Sequence, residues 1–510
     1  MTDVSSEQNS GRTILQKVRR VAAASAVALL ITEFVSLAQA VALARLLSPA
    51  EVGFFAAGTV LTAFATDFVE GGLRAALVQR HDKVEDAAET VFRVTLLSGV
   101  LFTVLALLAA PVIGIIFGAH MAGLVAAAMS ASLLLNALTN VPDALLQREF
   151  SIARRIIVGP AVSITFAVVS ISLAACGFGV WSMVAGSYAS IVIWVVAVWS
   201  LAGWRPGRGT FSFRLWRELA KYGFPLLYGL LGIRLMTIFQ SVVIGRILGI
   251  AHLGQFRYAE RVAKVPERGI IEIGANALFP AFSRIAHDAE RLRGAFLHAL
   301  RWSVIAAAPL TGLLIALGEQ SVVIILGDPW REAGIAVVGM AGLGLGRAIA
   351  SVSEEAIKGA GRTQLLNWIV SVDLVLGAAL VLILIKPLGI FGVGLAISIT
   401  LVVGGVVELA FARHVVDVRW RPTLAAMTPP IPAALVATVA TILIDRNVIH
   451  AEHYATLPSA ALLLVDAVIF GIVYLAALAV ISPSTFRQLV AVIARLGKRA
   501  MSMLLPRKTT

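Results

Sequence analysis

Residues 245–256, GRILGIAHLGQF, repeat residues 44–55, ARLLSPAEVGFF, at a shift of about 200 positions. The shift places Gly254 on Gly53, and small insertions extend the match across six apolar spans on each side. Because six is an even number, the two repeats would run parallel, related by an axis along the membrane normal. We therefore predict an all-α polytopic membrane protein with two pseudo-symmetric six-helix lobes and two further C-terminal helices.

Composition points to the same class. The chain has 510 residues, of which 59% are hydrophobic and only 14% are charged, and its mean hydropathy is +0.90. These values lie outside the range of soluble globular domains. The net charge of +13 does not indicate nucleic-acid binding, because the basic residues lie in short loops between apolar spans. The single cysteine, Cys176, excludes an intrachain disulfide, a Cys-based zinc site and an iron-sulfur cluster.

The apolar runs predict about 14 transmembrane helices. They lie near 21–47, 52–79, 90–117, 121–147, 155–176, 180–203, 222–249, 252–282, 297–326, 332–357, 364–386, 389–412, 427–445 and 459–481. Grouped by the repeat, they predict a cytoplasmic N-terminal segment at 1–20, an N-lobe at 21–204, a basic inter-lobe loop at 205–221, a C-lobe at 222–412, two further spans at 427–481 and a basic amphipathic cytoplasmic tail at 482–510.

Alternate loops carry the basic residues, whereas the loops between them are short and almost free of charge. By the positive-inside rule, both termini are expected in the cytoplasm. The tail at 482–510 has apolar residues on one helical face and basic residues on the other, so it is expected to lie on the anionic inner leaflet. The chain is therefore predicted to be a multi-pass membrane protein.

One predicted span carries a stripe of basic residues. At about 100° per residue, four cations fall within a narrow arc of a helix over 252–284: Arg257, Arg261, Lys264 and Arg268. A basic charge at the bilayer centre costs roughly 2.5 to 3.5 kcal/mol, and a Val or Ile returns only about 0.3 to 0.6. We therefore expect this cationic stripe to line a water-filled cavity and to bind an anionic substrate. The alternative is internal neutralisation, by Glu260, Glu267 and Glu272 of the same helix or by Asp67 and Glu70.

Comparison of the repeats adds further candidates. Glu33 falls on Arg234, an acid against a base, which could form a gate or a structural ion pair. Asp67, Glu70 and Arg74 lie beside a helix break predicted at Gly71-Gly72 in the second span, and Asp143 matches Glu355. A carboxylate within the membrane could couple transport to H⁺ or Na⁺, and the candidates for the gate or for ion coupling are Glu33, Asp67, Glu70, Arg74, Asp143 and Glu355, with Asp373 as a further carboxylate. The sequence lacks a G-x-x-x-x-G-K-[ST] run, so ATP hydrolysis is not expected, and neither a cofactor nor a metal site is predicted.

Three stretches resemble a known family: residues 44–80, ARLLSPAEVGFFAAGTVLTAFATDFVEGGLRAALVQR; 141–150, VPDALLQREF; and 177–186, GFGVWSMVAG. They are similar to signature stretches of the polysaccharide transporter family, the Wzx-type flippases of the multidrug/oligosaccharidyl-lipid/polysaccharide exporter superfamily. The resemblance implies two six-helix lobes around a central cavity and alternating access. It also implies export of undecaprenyl-pyrophosphate-linked oligosaccharide units across the bacterial inner membrane, and it transfers no catalytic residue.

Two other functions remain as alternatives. A multidrug or cation antiporter of the same superfamily would share the lobes, but it would favour acidic cavity walls over a cationic stripe. A membrane glycan polymerase or ligase would place its chemistry in a large outer loop, and the outer loops here are short except near 446–458. The expected partners are a lipid-linked oligosaccharide, membrane lipids, and polymerase and export components, without nucleic acid.

Overall fold

The computed structural model describes residues 28, 31–149, 154–362, 364–449 and 456–504. The side chains of some of these residues lie outside the description, namely those of 154–155, 225–230, 266–277, 367, 448–449, 456–457, 493 and 496–504. The predicted N-terminal segment 1–20 lies outside the described residues, as does the end of the tail.

Every regular element of the described residues is helical. The first helix, α1, covers 31–46. The others are α2 (Pro49–Glu70), α3 (Leu73–Gln79), α4 (Val84–Phe117), α5 (His120–Ser130), α6 (Ser132–Arg148), α7 (Gly159–Ala175), α8 (Val180–Ala202), α9 (Phe213–Ile247), α10 (Ile250–Ile285), α11 (Ala289–Leu326), α12 (Arg331–Gly339), α13 (Gly342–Gly359), α14 (Gln364–Val416), α15 (Trp420–Met427), α16 (Pro430–Ile444), α17 (Thr456–Ile481) and α18 (Pro483–Leu504). Short π-helical turns at Arg154–Val158 and Asp445–Ile449 and a 3₁₀ turn at Asp328–Trp330 complete the order.

Ten helical segments of the described chain are long and apolar enough to cross a membrane. One of them, α14, holds two predicted spans, because the backbone leaves helical geometry at Gly389. Three predicted spans are not among the ten: α1, part of which lies outside the described residues, and the more polar helices α9 and α10. The structure confirms the predicted all-α polytopic class and is consistent with about 14 spans.

The repeated sequence at 44–55 begins α2 with a capping box. Ser48 Oγ accepts a hydrogen bond from the backbone N–H of Glu51, and the Ser48 backbone N–H donates to Glu51 Oε2 at 2.7 Å. These bonds satisfy two amide groups that lie outside the helical ladder. The cap fixes the start of α2, so that Gly53 lies one turn later against Gly254, with 2.9 Å between the Gly53 nitrogen and the position a Gly254 Cβ would take.

The chain folds into two compact units, residues 1–254 and 255–510. The sequence places the boundary between the repeats in the loop 205–221, whereas α9 belongs to the first compact unit. The contacts explain this assignment, because α9 packs on α2, α3 and α4. Gly223, in the first half of α9, lies directly against Gly72, where a Cβ on Gly72 would come within 2.6 Å of Gly223 Cα.

The core of the second unit contains residues from the last two membrane helices and from helices of the repeat. Phe296 and Leu300 of α11 and Val352 of α13 are fully buried, and they form one apolar cluster with Ala437 of α16 and Phe470 of α17. The predicted amphipathic tail forms α18, whose Phe486 and Leu489 pack against the same cluster. Its predicted position on the inner leaflet stays a prediction.

Candidate functional site

Five of the candidate residues come together in the first unit. Arg234 of α9 contacts Asp67 of α2 through Nε to Oδ2 at 2.6 Å and through Nη2 to Oδ1 at 3.4 Å. Arg74 of α3 donates from Nη2 to Asp143 Oδ2 of α6, and its Nη1 lies 3.9 Å from Glu70 Oε1. We call these five residues the Asp67 cluster. It contains three carboxylates and two guanidinium groups.

A break in the helix positions this cluster. Gly71 and Gly72 both have positive φ angles, 57° and 66°, which glycine adopts without the steric cost of a Cβ atom. The break ends α2 at Glu70 and begins α3 at Leu73, so that Arg74 turns towards Asp143. The Asp143 side chain is only 2% exposed, and an ionised carboxylate this deeply buried requires a partner such as Arg74.

The structure gives Arg234 a different partner from the one that the repeat comparison suggested. The sequence hypothesis paired it with Glu33, whereas Arg234 contacts Asp67. Glu33 lies on α1 with an exposed side chain. The shift of the repeat identifies equivalent positions, and equivalent positions need not touch each other.

The cationic stripe lies along α10 in the second unit. Arg257, Arg261 and Lys264 are half-buried, and the opposite face of the helix, including Ala259 and Ala263, is buried. The described members of the stripe therefore lie on the less buried side of α10, and their role in substrate binding stays a prediction. The fourth member, Arg268, also lies within α10, but its side chain is outside the described part of the chain.

One carboxylate bridges two members of the stripe. Glu260 Oε2 accepts from Arg257 Nη1 at 3.0 Å, and Glu260 Oε1 accepts from Lys264 Nζ at 2.7 Å. The internal neutralisation that the sequence raised as an alternative is therefore present at Arg257 and Lys264. The other acids proposed for this role are either outside the described side chains, as Glu267 and Glu272 are, or engaged within the Asp67 cluster.

The start of α10 is fixed by two contacts to the 3₁₀ turn and α12. Gln255 donates from Nε2 to the carbonyl of Pro329 at 2.5 Å and accepts from the Ala333 backbone N–H at 2.9 Å. Tyr258 packs on Trp330 with ring centroids 4.2 Å apart. These contacts hold one side of α10, so the stripe on the neighbouring face has a fixed orientation within its unit.

Glu355, the residue that the repeat matches to Asp143, lies in a different arrangement. Lys358 Nζ contacts Glu354 at 2.8 Å and Glu355 at 3.1 Å, all within α13. The Glu355 side chain is buried but its base comes from the same helix, whereas Asp143 receives Arg74 from a different helix. The two halves therefore differ in how they compensate this acidic position.

Sequence reasoning missed a buried acid in α14. Glu408 is 8% exposed, and its Oε2 has no hydrogen-bond partner within the described structure. It interacts electrostatically with Glu354, Arg347, Asp373 and Lys358, so it joins the candidate carboxylate Asp373 in one group. The available signal was an acidic residue alone in a long apolar span, which is costly in a membrane.

Comparison with known proteins identifies the family. The model of the family described as "Polysaccharide biosynthesis protein" matches residues 42–334. The Succinoglycan biosynthesis transport protein ExoT of Rhizobium meliloti (strain 1021) is 29% identical over 332 residues, which are 64% of this chain and 66% of that protein. The aligned part therefore spans just under two thirds of the relative's length.

Solved structures show the same fold. The Lipid II flippase MurJ in its inward closed conformation superposes with a TM-score of 0.72, at 16% identity, over 91% of this chain and 99% of that chain. An inward-facing multidrug resistance MATE family transporter of the MOP superfamily gives a TM-score of 0.62, at 17% identity, over 77% of this chain and 98% of that one. At such identities the likeness concerns the fold. The chain is a member of the polysaccharide biosynthesis protein family and has the fold of MOP superfamily transporters.

Proposed function

We propose that the chain is a flippase that moves undecaprenyl-pyrophosphate-linked oligosaccharide repeat units across the bacterial inner membrane by alternating access. The names of the similar proteins, a transport protein, a flippase and a transporter, agree with the predicted class, which is a transporter rather than an enzyme. The substrate proposal also draws on the family description, which concerns polysaccharide biosynthesis. The assembled polymer would be an exopolysaccharide, O-antigen or capsule.

The cationic stripe of α10 is the observation that carries this proposal. Three half-buried basic side chains face the same side of a helix, and one carboxylate, Glu260, contacts two of them. Guanidinium and ammonium groups form strong charge-assisted hydrogen bonds with phosphate oxygens. We therefore assign the stripe, with Arg268 as its continuation along α10, to the pyrophosphate and to acidic groups of the sugar.

The chemistry of the substrate divides it between two environments. A polyprenyl tail is stable in hydrocarbon, whereas a pyrophosphate and a sugar head lose their hydrogen bonds there and need polar partners. A helix that presents basic groups on one face supplies such partners within the membrane. The tail would remain in lipid while the head passes along the stripe.

Coupling to H⁺ or Na⁺ is a separate proposal, and the Asp67 cluster is its site. The cluster has one more carboxylate than it has bases, and Glu70 makes the longest ion contact in it, 3.9 Å to Arg74. Glu70 is also partly exposed, with 37% of its side chain accessible. We therefore favour Glu70 as the group that would bind the coupling cation, with Asp67 and Arg234 as the gate.

The multidrug alternative is less well supported by these charges. An exporter of organic cations gains affinity from carboxylates that face the substrate, whereas the half-buried charges on α10 are predominantly basic. The acidic excess of the Asp67 cluster amounts to one charge, which suits a small coupling cation.

The test is the transport of a labelled lipid-linked oligosaccharide in proteoliposomes, with the sidedness of the label read by an impermeant reagent. The double variant Arg261→Gln/Arg268→Gln should reach the membrane in normal amount and lose at least about tenfold in rate, since each charge-assisted hydrogen bond contributes about 1.5 kcal/mol or more. Arg291→Gln is the matched control, because Arg291 on α11 is 78% exposed. Transport by the double variant at the wild-type rate would overturn the proposal.

A further inference from the structure

A second polar group shares no residue with the stripe or with the Asp67 cluster and lies within the second unit, where α11, α16 and α17 pack against one another. Asp466 of α17 is completely buried, and neither of its carboxylate oxygens has a hydrogen-bond partner in the described structure. It is the only charged residue of α17, and α16 carries none. A buried carboxylate without any donor is among the costliest groups in a membrane protein.

Asp445 brings a second carboxylate to the same place. It follows α16 directly, is 5% exposed and interacts electrostatically with Asp466. Among the described charged groups, Asp445 is the one that acts on Asp466. The fully buried carboxylate of Asp466 therefore has a second acid as its charged neighbour, and it is costly in its ionised form unless a cation or a hydrogen-bond donor compensates it.

Two neutral oxygens complete the group. Gln320 of α11 donates from Nε2 to Asp445 Oδ2, so its Oε1 on the same amide is next to this carboxylate, and that oxygen is buried without a hydrogen-bond partner in the described part of the chain. Thr441 lies one helical turn before Asp445 and is completely buried, and its Oγ1 also has no partner among the described residues. Residues four apart on a helix are neighbours on one face.

The potential ligands that these four residues supply are all oxygen atoms. The carboxylates of Asp445 and Asp466, the amide oxygen of Gln320 and the hydroxyl of Thr441 offer up to six oxygens and two negative charges. Hard cations take such ligands, and Ca²⁺ accepts six to eight oxygens in an irregular geometry, whereas Mg²⁺ requires a nearly ideal octahedron and retains water. We propose that Asp445, Asp466, Gln320 and Thr441 bind one Ca²⁺ ion that clamps α16 and α17 to α11.

The position along the helices fits this ion. The loop charges predict that this end of the three helices faces outside, where calcium sites with dissociation constants of about 0.1 to 1 mM operate. Thr441 and Asp466 lie in the two helices that follow the repeat, Asp445 comes directly after the first of them, and Gln320 lies in α11 of the repeat. The site does not depend on which substrate is transported. Its consequence is mechanical, because the clamp would make the attachment of the last two spans depend on Ca²⁺.

The experiment measures binding of ⁴⁵Ca²⁺ to the purified, chelator-treated full chain in detergent, together with its melting temperature with and without Ca²⁺. We expect one ion per chain and a higher melting temperature with Ca²⁺, since a ligand that binds only the folded state stabilises it. Asp466→Asn should weaken binding at least about tenfold, and Thr441→Val should weaken it severalfold without changing charge or shape. In the absence of Ca²⁺, Asp466→Asn should melt no lower than the wild type, because it removes a buried charge.

Asp417→Asn is the matched control, because Asp417 is an acid of the same unit whose side chain is 91% exposed. It should bind Ca²⁺ as the wild type does. Three results would overturn the proposal: binding that is absent, binding that both Asp466→Asn and Thr441→Val leave unchanged, or a melting temperature that responds to Na⁺ or to protons as strongly as to Ca²⁺. If Asp466→Asn does not fold, Thr441→Val still decides the outcome.

Discussion

Arg234 of α9 holds Asp67 of α2 in a two-point contact, with its Nε at 2.6 Å from Oδ2 and its Nη2 at 3.4 Å from Oδ1. The two residues are far apart in the chain and lie on different helices of the first unit. A forked contact of this kind fixes the orientation of both side chains as well as their distance. If α2 and α9 move apart during transport, this contact must break.

Exchanging the two charges separates a gate from a structural pair. Asp67→Asn alone leaves Arg234 without its partner and should cost about 1 to 2 kcal/mol of stability, between the values for exposed and for buried pairs. The exchange Asp67→Arg/Arg234→Asp should recover most of that loss. The melting temperature, followed by the fluorescence of the nine tryptophans, reports stability, and the proteoliposome assay reports transport.

Recovery of stability without recovery of transport would identify the pair as a gate. Recovery of both would show that the contact is structural, and the gating proposal would then be withdrawn. Glu33→Gln provides a comparison, because Glu33 is the acid that the repeat places on Arg234.

Gly72 allows a prediction with a close internal control. Gly72→Ala must place a Cβ within 2.6 Å of Gly223 Cα and must also keep a φ of 66°. Gly203 has a φ of 62°, but no atom lies within 4 Å of the position that its Cβ would take. Gly203→Ala should therefore lower the free energy of unfolding only by the backbone strain of alanine at positive φ, about 1 to 2 kcal/mol. Gly72→Ala should lower it by about 1 to 3 kcal/mol more, because its Cβ also overpacks the contact with α9.

The measurement is the melting temperature of both variants, and Gly72→Ala should melt clearly lower. It should also disturb the Asp67 cluster, since Gly72 separates Glu70 from Arg74. Equal melting temperatures for the two alanine variants would show that α9 does not pack tightly against Gly72.

The glycines that the repeat relates to each other give a further test. Gly53 and Gly254 pack so closely that a Cβ on Gly254 would lie 2.9 Å from the Gly53 nitrogen and 3.0 Å from the carbonyl carbon of Pro49. Gly254→Ala should destabilise the protein by about 1 to 3 kcal/mol. Gly294→Ala, in α11 with open space around it, should instead stabilise by about 0.5 to 1 kcal/mol, because alanine favours a helix. Melting temperatures that shift in the same direction would contradict this contact.

The sequence predicted the helices because apolar runs of span length have few other structures available in a membrane. It also predicted the break at Gly71 and Gly72 and the grouping of Asp67, Glu70 and Arg74 around it, since these residues are close in the chain. The stripe on α10 followed from helical periodicity alone. Each of these predictions depends on local spacing.

Contacts between distant helices could not be predicted in the same way. The repeat aligns Glu33 with Arg234, but the partner of Arg234 depends on which face of α2 meets α9, and the packing of Gly72 on Gly223 decides that face. Glu408 and Asp466 were visible only as single acids in apolar runs. Because no second residue of the same kind lies near either of them in the chain, local spacing could not indicate which groups would surround them.

Arg74 and Asp143 form the most deeply buried ion pair of the Asp67 cluster, and its loss should be costly. Arg74→Leu leaves Asp143, which is 2% exposed, without its base, and should destabilise the protein by about 3 to 5 kcal/mol. Arg214→Leu is the control, because Arg214 is 92% exposed, and its loss should change stability by no more than about 0.5 kcal/mol. Adding Asp143→Asn to Arg74→Leu should restore part of the melting temperature; a further decrease would show that Asp143 has another role.

Removal of the Glu260 carboxylate tests the stripe by the opposite change to the removal of a cation. It occupies Arg257 and Lys264 with contacts of 3.0 and 2.7 Å, so a phosphate that binds these cations must compete with it. Glu260→Gln removes the competing charge. A gain of up to about 1 kcal/mol for each of the two pairs corresponds to binding that is up to about thirtyfold tighter. The affinity of the detergent-solubilised protein for undecaprenyl pyrophosphate should therefore rise, and the salt dependence of binding should become steeper.

Glu319→Gln is the control, because it removes an acid that pairs with Arg331, which is not part of the stripe. It should leave the affinity unchanged. Weaker binding by Glu260→Gln would mean that Glu260 orients the cations for the substrate rather than competing with it.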